Sequence, residues 1–153
     1  MEKSLKYFMR DNSEEVVTVP GIESFKNEKG EVINFEIKKL SNEHIRKIQE
    51  KYRVRTIATD SKGNPYTQNG EVVYAVTKDN NKSLCHVMAE AFVYPDLKSK
   101  EMMDFYKCAD VTEMPTKVFF NTDEFNKAAN IVMRVLGMID APSAEEEIDA
   151  AKN

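Results

Sequence analysis

The sequence predicts an α+β domain, N-terminal β-hairpins followed by a small helical bundle, and three observations carry that reading. In IESFKNEKGEVINFEIKKL, Ile33, Phe35 and Ile37 alternate with Asn34 and Glu36, and Asn27 to Gly30 supplies a turn. Such alternation belongs to a strand with one buried and one wet face. In VRTIATDSKGNPYTQNGEVVYAVTKDN, β-branched and aromatic runs at Thr56–Thr59 and Val72–Val76 flank two turn signals, Ser61–Pro65 and Asn69-Gly70. That pattern predicts a second hairpin, or a three-stranded meander through Tyr66 and Thr67. From about Asn80 onward the apolar spacing becomes helical.

Taken in order, residues 1–15 form an N-terminal segment in which Leu5, Phe8 and Met9 lie at helical spacing before a polar DNSEE, a short docking helix or a frayed start. Residues 16–138 are expected to be one α+β domain. Within it, Ser41 suits the N-cap of a helix whose stripe is Ile45, Ile48 and Tyr52, with Leu40 placed to staple onto Ile45 and Glu43 in the first turn. A second helix is expected over about 81–94, with a wide apolar face from Leu84, Cys85, Val87, Met88, Ala91 and Phe92. Pro95 ends it, because the residue before a proline is pushed out of the α region. A short helix from Ser99 to Lys107 follows. The last helix has Asn121 or Thr122 as N-cap, Phe125, Ala129, Val132 and Leu136 on one face, and Gly137 just past its end. Residues 139–153 read as an acidic tail.

The totals bound the function. At 153 residues the chain is the size of one domain with a real core. Two cysteines, Cys85 and Cys108, occur outside any CxxC or Cys/His spacing, and MEKSLKYFMR has no apolar stretch of a signal peptide. The expectation is a cytosolic protein with two free thiols. No apolar run approaches the roughly 20 residues that span a bilayer, so no membrane partner is expected. A net charge of -4 argues against nucleic acid as a general partner. The charge is uneven, however: Glu36–Arg55 holds seven basic residues against three acids, and DAPSAEEEIDAAKN holds five acids against Lys152. A basic helix is ordinarily a solvated face.

No catalytic constellation is visible. His44 falls in the first turn of a helix, and His86 stands beside Cys85, where neighbours on a helix point about 100° apart; neither has a second histidine or cysteine at i+3 or i+4. The glycines at 21, 30, 63, 70 and 137 make no phosphate-binding loop. No enzyme activity, cofactor or metal is therefore expected. The remaining signal is eight methionines and the stretch FVYPDLKSKEMMDFY, where Met102, Met103, Phe105 and Tyr106 come almost consecutively. Neighbours on a helix diverge, so not all four can be buried in one groove, and methionine adapts to varied surfaces.

The order of hairpin, FEIKKLSNEHIRKI (35–48), apolar helix, VYPDLKSKEM (93–102) and capped final helix resembles the XkdN-like tail assembly chaperones of Gram-positive phages and prophages, over residues 20–138. Tyr94, Pro95, Asp96 and Leu97 match the family's Tyr-Pro-Asp-Leu corner. Two stretches depart from the family, 54–78, which is longer, and MPTKVFFNTDEF. The resemblance implies a non-enzymatic protein of the host bacterial cytoplasm. It would hold the tape measure protein until the tail tube protein polymerises, with a homo-oligomer an open alternative. A structural tail-completion or baseplate adaptor protein retained in the virion is the competing reading, and a small host-directed regulatory protein a third. The expected partner contacts are Met102, Met103, Phe105 and Tyr106, with Met88 and Phe92 of the preceding helix, and Tyr94–Leu97 is expected to fix the corner.

Overall fold

A computed structural model describes residues 3–140, and the acidic segment from 141 lies outside the described residues. The fold is α+β, strands leading and helices following. Near the start, Leu5–Phe8 makes one exposed 3-10 turn, with the Lys6 N–H donating to the Ser4 hydroxyl.

The main sheet has three antiparallel strands, β1 (Val16–Val19), β2 (Phe35–Lys38) and β7 (Phe92–Tyr94), in the order β1-β2-β7. The alternation around Phe35 and Ile37 is observed, but β2 pairs with β1, placing Val17 opposite Ile37 and Val19 opposite Phe35. The expected hairpin survives only as a narrow loop at its tip, with a bridge between Lys26 and Val32 and the Asn27 carboxamide oxygen accepting from the N–H groups of Lys29 and Glu31. Gly21 sets the approach of this loop: a Cβ there would collide with the Ile33 carbonyl oxygen and touch the Phe35 ring.

Helix α1 (Asn42–Glu50) starts as the sequence indicates, the Ser41 hydroxyl accepting from the His44 N–H at 3.1 Å. A second acid joins it. The Glu14 carboxylate accepts from the Ser41 N–H at 2.8 Å and sits 2.9 Å from His44 Nδ1. The hydrogen bond from Ser41, and then that from His44, hold its pKa below the ordinary range. The polar DNSEE stretch therefore clamps a helix N-terminus to the sheet.

From α1 the chain enters a protruding ribbon. β3 (Arg53–Ile57) pairs with β6 (Tyr74–Lys78), and a small hairpin of β4 (Thr67–Gln68) and β5 (Glu71–Val72) sits at its end. Asn69 and Gly70, at φ 55° and 81°, make the tight turn that their residue types suit. Ala58, Tyr66 and Val73 bond one another in a ring of backbone hydrogen bonds of 2.7–2.9 Å, so three strands meet at the tip.

Helix α2 (Asn80–Ala91) is the central helix, with Met88, Ala89 and Ala91 fully buried. It ends three residues before Tyr94: Phe92 takes an extended conformation, and Phe92–Tyr94 becomes β7, with Phe92 opposite Ile37. The constraint before Pro95 is satisfied by a whole strand rather than by a single residue, and the Tyr94–Pro95 bond is cis. Two short helices follow, α3 (Lys100–Phe105) and α4 (Met114–Val118), and α5 (Thr122–Val135) closes the domain. Asn121 caps α5, and Gly137, at φ 75°, ends it with Met138 N–H bonded to the Met133 carbonyl. Helix α4 went unread in the sequence.

Between α1 and α2 the Tyr52 hydroxyl lies 2.6 Å from His86 Nδ1; His86 Nε2 lies 3.6 Å from Glu90, and Lys98 bonds Glu90 at 2.9 Å. Burial lowers the His86 pKa, and the Glu90 charge only partly opposes it. Burial would raise the Glu90 carboxyl, but the bonded Lys98 and nearby His86 bring it below its ordinary value.

Two outcomes are expected. Gly21→Ala should destabilise the domain by ~1–3 kcal/mol, read as a lower urea midpoint, because the backbone of Ile33 must move. An unchanged midpoint would show that the loop is loose. For His86, whose pKa is lower folded than unfolded, the unfolded chain takes up the proton first on acidification. Its contribution is intact above the ordinary imidazole value of about 6.5 and falls away below it. The thermal midpoint should drop between about pH 7.5 and 5.5 more in the parent than in His86→Gln; parallel curves would remove His86 from the account.

Candidate partner-binding groove

The surface that best fits a binding role forms where the Pro95 corner meets the loop of the first half. Phe25, Phe35, Pro95, Met102, Tyr106, Val118 and Phe119 line an apolar recess of about 240 Å³. No charged residue lines it. A second recess, about 230 Å³, is lined by Phe119, Phe120, Phe125, Thr116, Asn121 and Thr122, with Phe119 the wall common to both.

Each wall has a local cause. Met102 and Tyr106 are four apart and so share one face of the α3 end. Ser99 caps α3 by accepting from the Met102 N–H at 3.3 Å, and Lys107, at φ 51°, ends it with Cys108 N–H bonded to the Met103 carbonyl. A lysine in this left-handed conformation costs about 1 kcal/mol relative to glycine. The helix is therefore cut to six residues, and Tyr106 is held at its end. Asp96 shapes the corner, its carboxylate accepting from the Lys98 N–H at 3.1 Å while its carbonyl accepts from Ser99. Leu97 plugs the corner into the core with no exposed surface. Tyr94 is half-exposed. The corner thus sets an angle between a strand and a helix, where the sequence suggested two helices.

Phe119 comes from the turn after α4, which carries Pro115 in its first turn and continues a 3-10 turn at Val111–Glu113 capped by Asp110, whose carboxylate accepts from Thr112. The Asp110 carboxyl is held below its ordinary pKa by the hydrogen bonds from the Thr112 hydroxyl and N–H. Phe119 turns inward, packing edge-on to Phe25 at 5.8 Å, while its neighbour Phe120 points out and is 86% exposed.

Of the residues proposed from sequence, the structure brings Met102 and Tyr106 together with Pro95. Met103 packs against the core but does not line the recess. Phe105 is 76% exposed and stacks edge-on against Tyr106, with ring centres 4.9 Å apart. Met88 and Phe92 must be corrected. They are 0% and 2% exposed, held in the core by the sheet and by α4 and α5, and offer a partner no surface. Helices α2 and α5 pack against each other, with Ala128, Ala129 and Val132 of α5 buried. Phe25, Phe119 and Phe120 were missed. The doublet Phe119-Phe120 before an N-cap was the available signal for the last two, since two adjacent large aromatics cannot both face one core.

The comparisons agree with this geometry in fold. A crystal structure of the protein YqbN matches with a TM-score of 0.65 at 22% identity, over 92% of this chain and all of that one. In sequence the chain is 26% identical to the phage-like element PBSX protein XkdN of Bacillus subtilis (strain 168), over 97% of this chain and 93% of that protein. It is 27% identical to the uncharacterized protein YqbN of the same organism over the same shares. The model of the phage XkdN-like tail assembly chaperone proteins matches residues 5–152, nearly the full length, and the chain belongs to that family.

Proposed function

We propose that this chain is a tail assembly chaperone that acts by binding, without catalysis, and that its client is an amphipathic helical segment of the tape measure protein. In this reading it works in the cytoplasm of the host bacterium and is left out of the finished tail, with the tail tube protein displacing it. The observation that carries the reading is a pair of recesses, one apolar and one of mixed lining, that share Phe119 as a wall.

Size argues for side chains as the guests. Small-molecule sites run to about 300–1,000 Å³ with a few convergent polar groups. Each recess here is smaller and open, and the one at Met102 has no charged lining. Two recesses that share a wall suit two anchors on one face of a helix laid across them, the helix-in-groove mode. Met102, with its flexible thioether, lets one recess accept a leucine in one segment and a phenylalanine in the next. A protein that meets many similar segments of one long client needs such tolerance more than it needs affinity.

The test is co-expression with a tape measure protein from the same genome, followed by affinity capture. Tyr106→Asp and Phe120→Asp should each reduce recovered tape measure protein at least about tenfold, since a buried charge costs more than the 1.4 kcal/mol that a tenfold loss represents. Both side chains reach solvent, so the variants should keep the parental circular dichroism spectrum. Undiminished capture by folded variants would refute the groove, and finding the chain in purified particles would favour a retained tail component.

A further inference from the structure

An exposed strand edge invites pairing with another chain, and folds ordinarily block it with a proline, a charge or a very short strand. In the main sheet β1 runs into Pro20 and β7 into Pro95, and a proline cannot donate to a ladder. The strands β4 and β5 are two residues each. In the ribbon, β3 carries Arg53 and Arg55 along its length. Strand β6 has no such block before Lys78 at its end.

The outer side of β6 is also free. The Ala58 N–H bonds the Val73 carbonyl and the Asp79 N–H bonds the Tyr52 carbonyl, which fixes the phase of the ladder, so Ala75 and Thr77 turn their backbone groups toward β3. The N–H and C=O groups of Tyr74, Val76 and Lys78 therefore point away from β3, and among the described residues no third strand meets them. Tyr74 and Val76 are 50% and 54% exposed, so no side of this strand is covered by the core.

We propose that β6 is a pairing edge for β6 of a second copy of the chain, antiparallel about a two-fold axis at Val76, which joins two ribbons into one four-stranded sheet. The register follows from the phase: with Val76 opposite its own counterpart, every outward N–H and C=O of Tyr74, Val76 and Lys78 finds a partner. Tyr74 then stands opposite Lys78 of the second copy, an aromatic beside a cation, and no like charges are directly opposed. Strand β3 paired with itself about its middle residue would set Arg55 against Arg55. A contact of one five-residue strand is far smaller than the roughly 1,200 Å² of a stable interface, so this dimer is weak and depends on concentration. It also brings two basic ribbons together, so salt that screens their repulsion strengthens it, whereas an acidic partner on this edge would be released by salt. The proposal does not depend on the groove.

The test uses the full chain. Sedimentation velocity should show a monomer at about 10 μM and mostly dimer at about 1 mM, with more dimer at about 0.5 M sodium chloride than at about 0.05 M. Over the same rise in concentration, residue-resolved hydrogen exchange should slow about threefold at the amides of Tyr74, Val76 and Lys78 and stay unchanged at Arg53, Arg55 and Ile57. Val76→Glu gains Arg55 as a partner within its own ladder, which supports the ribbon, but sets glutamate against glutamate across the axis; it should stay monomeric throughout. Val76→Pro removes an N–H that the ribbon does not use and should do the same. A parent chain that is monomeric at about 1 mM would overturn the proposal. So would a dimer whose slowed amides lie on β3 or on neither strand, or one that both variants leave intact.

Discussion

The packing of Phe35 against Phe92 and Phe119 is the contact on which the rest of the domain depends. Phe35 lies 5.3 Å from Phe92 and 6.2 Å from Phe119, edge-on to both, and Phe25 closes the set against Phe119. Four segments far apart in sequence meet here: the first loop, β2, β7 and the turn after α4. Each buried aromatic contributes about 1.5–3 kcal/mol by burial, and edge-on pairs add about 0.5–1.5 kcal/mol apiece. Against a net stability of about 5–15 kcal/mol for a domain, that cluster is a large share. Its outer side is also the floor of the groove, since Phe25, Phe35 and Phe119 line it. A recess built on core residues is held rigid beneath, with Met102 and Tyr106 as its adaptable part.

The division of labour between rigid and exposed parts follows from how each segment is held. Helix α2 is enclosed on most sides and carries its polar chain of Tyr52, His86, Glu90 and Lys98 at the contact with α1. The ribbon of β3 and β6 has no comparable cover: Val54, Ile57, Tyr74 and Val76 are all substantially exposed. A two-stranded ribbon is marginal on its own. Here its base is tied down by Asp79, whose N–H bonds the Tyr52 carbonyl and whose carboxylate caps α2 at the Lys82 N–H.

Local chemistry was the legible part of the sequence. Ser41, Asn121 and Gly137 act as the caps their types suggest, and Asn69-Gly70 makes its turn, because each depends on a few adjacent residues. The pairing of β2 was not legible: Phe35–Lys38 could close with the run before it or with Val16–Val19, and only the room at Gly21 and the bond from Lys39 N–H to the Glu15 carbonyl decide for the latter. Phe92 to Tyr94 reads as the end of a helix because its apolar spacing continues that of α2, whereas the empty edge of β2 takes it as a strand. The same non-local choice turned Met88 and Phe92 from candidate contacts into core. Within the groove, Met102 and Tyr106 were legible as an i, i+4 pair, but Phe25 arrives from a distant segment that no spacing announces, and Phe119 was signalled only by its doublet with Phe120.

Methionine methyl signals offer the most direct measurement of the central claim, that the recess floored by the aromatic cluster is where a client helix sits. The chain carries eight methionines. Met102 lines the recess, Met88 and Met114 are buried in the core, and Met133 and Met138 belong to α5 and the turn beyond it. With carbon-13 methyl labels, titration with an amphipathic helical peptide from the tape measure protein should shift and broaden Met102 first and most, and leave Met133 and Met138 in place. A response led by Met133 or Met138 with Met102 silent would contradict the account.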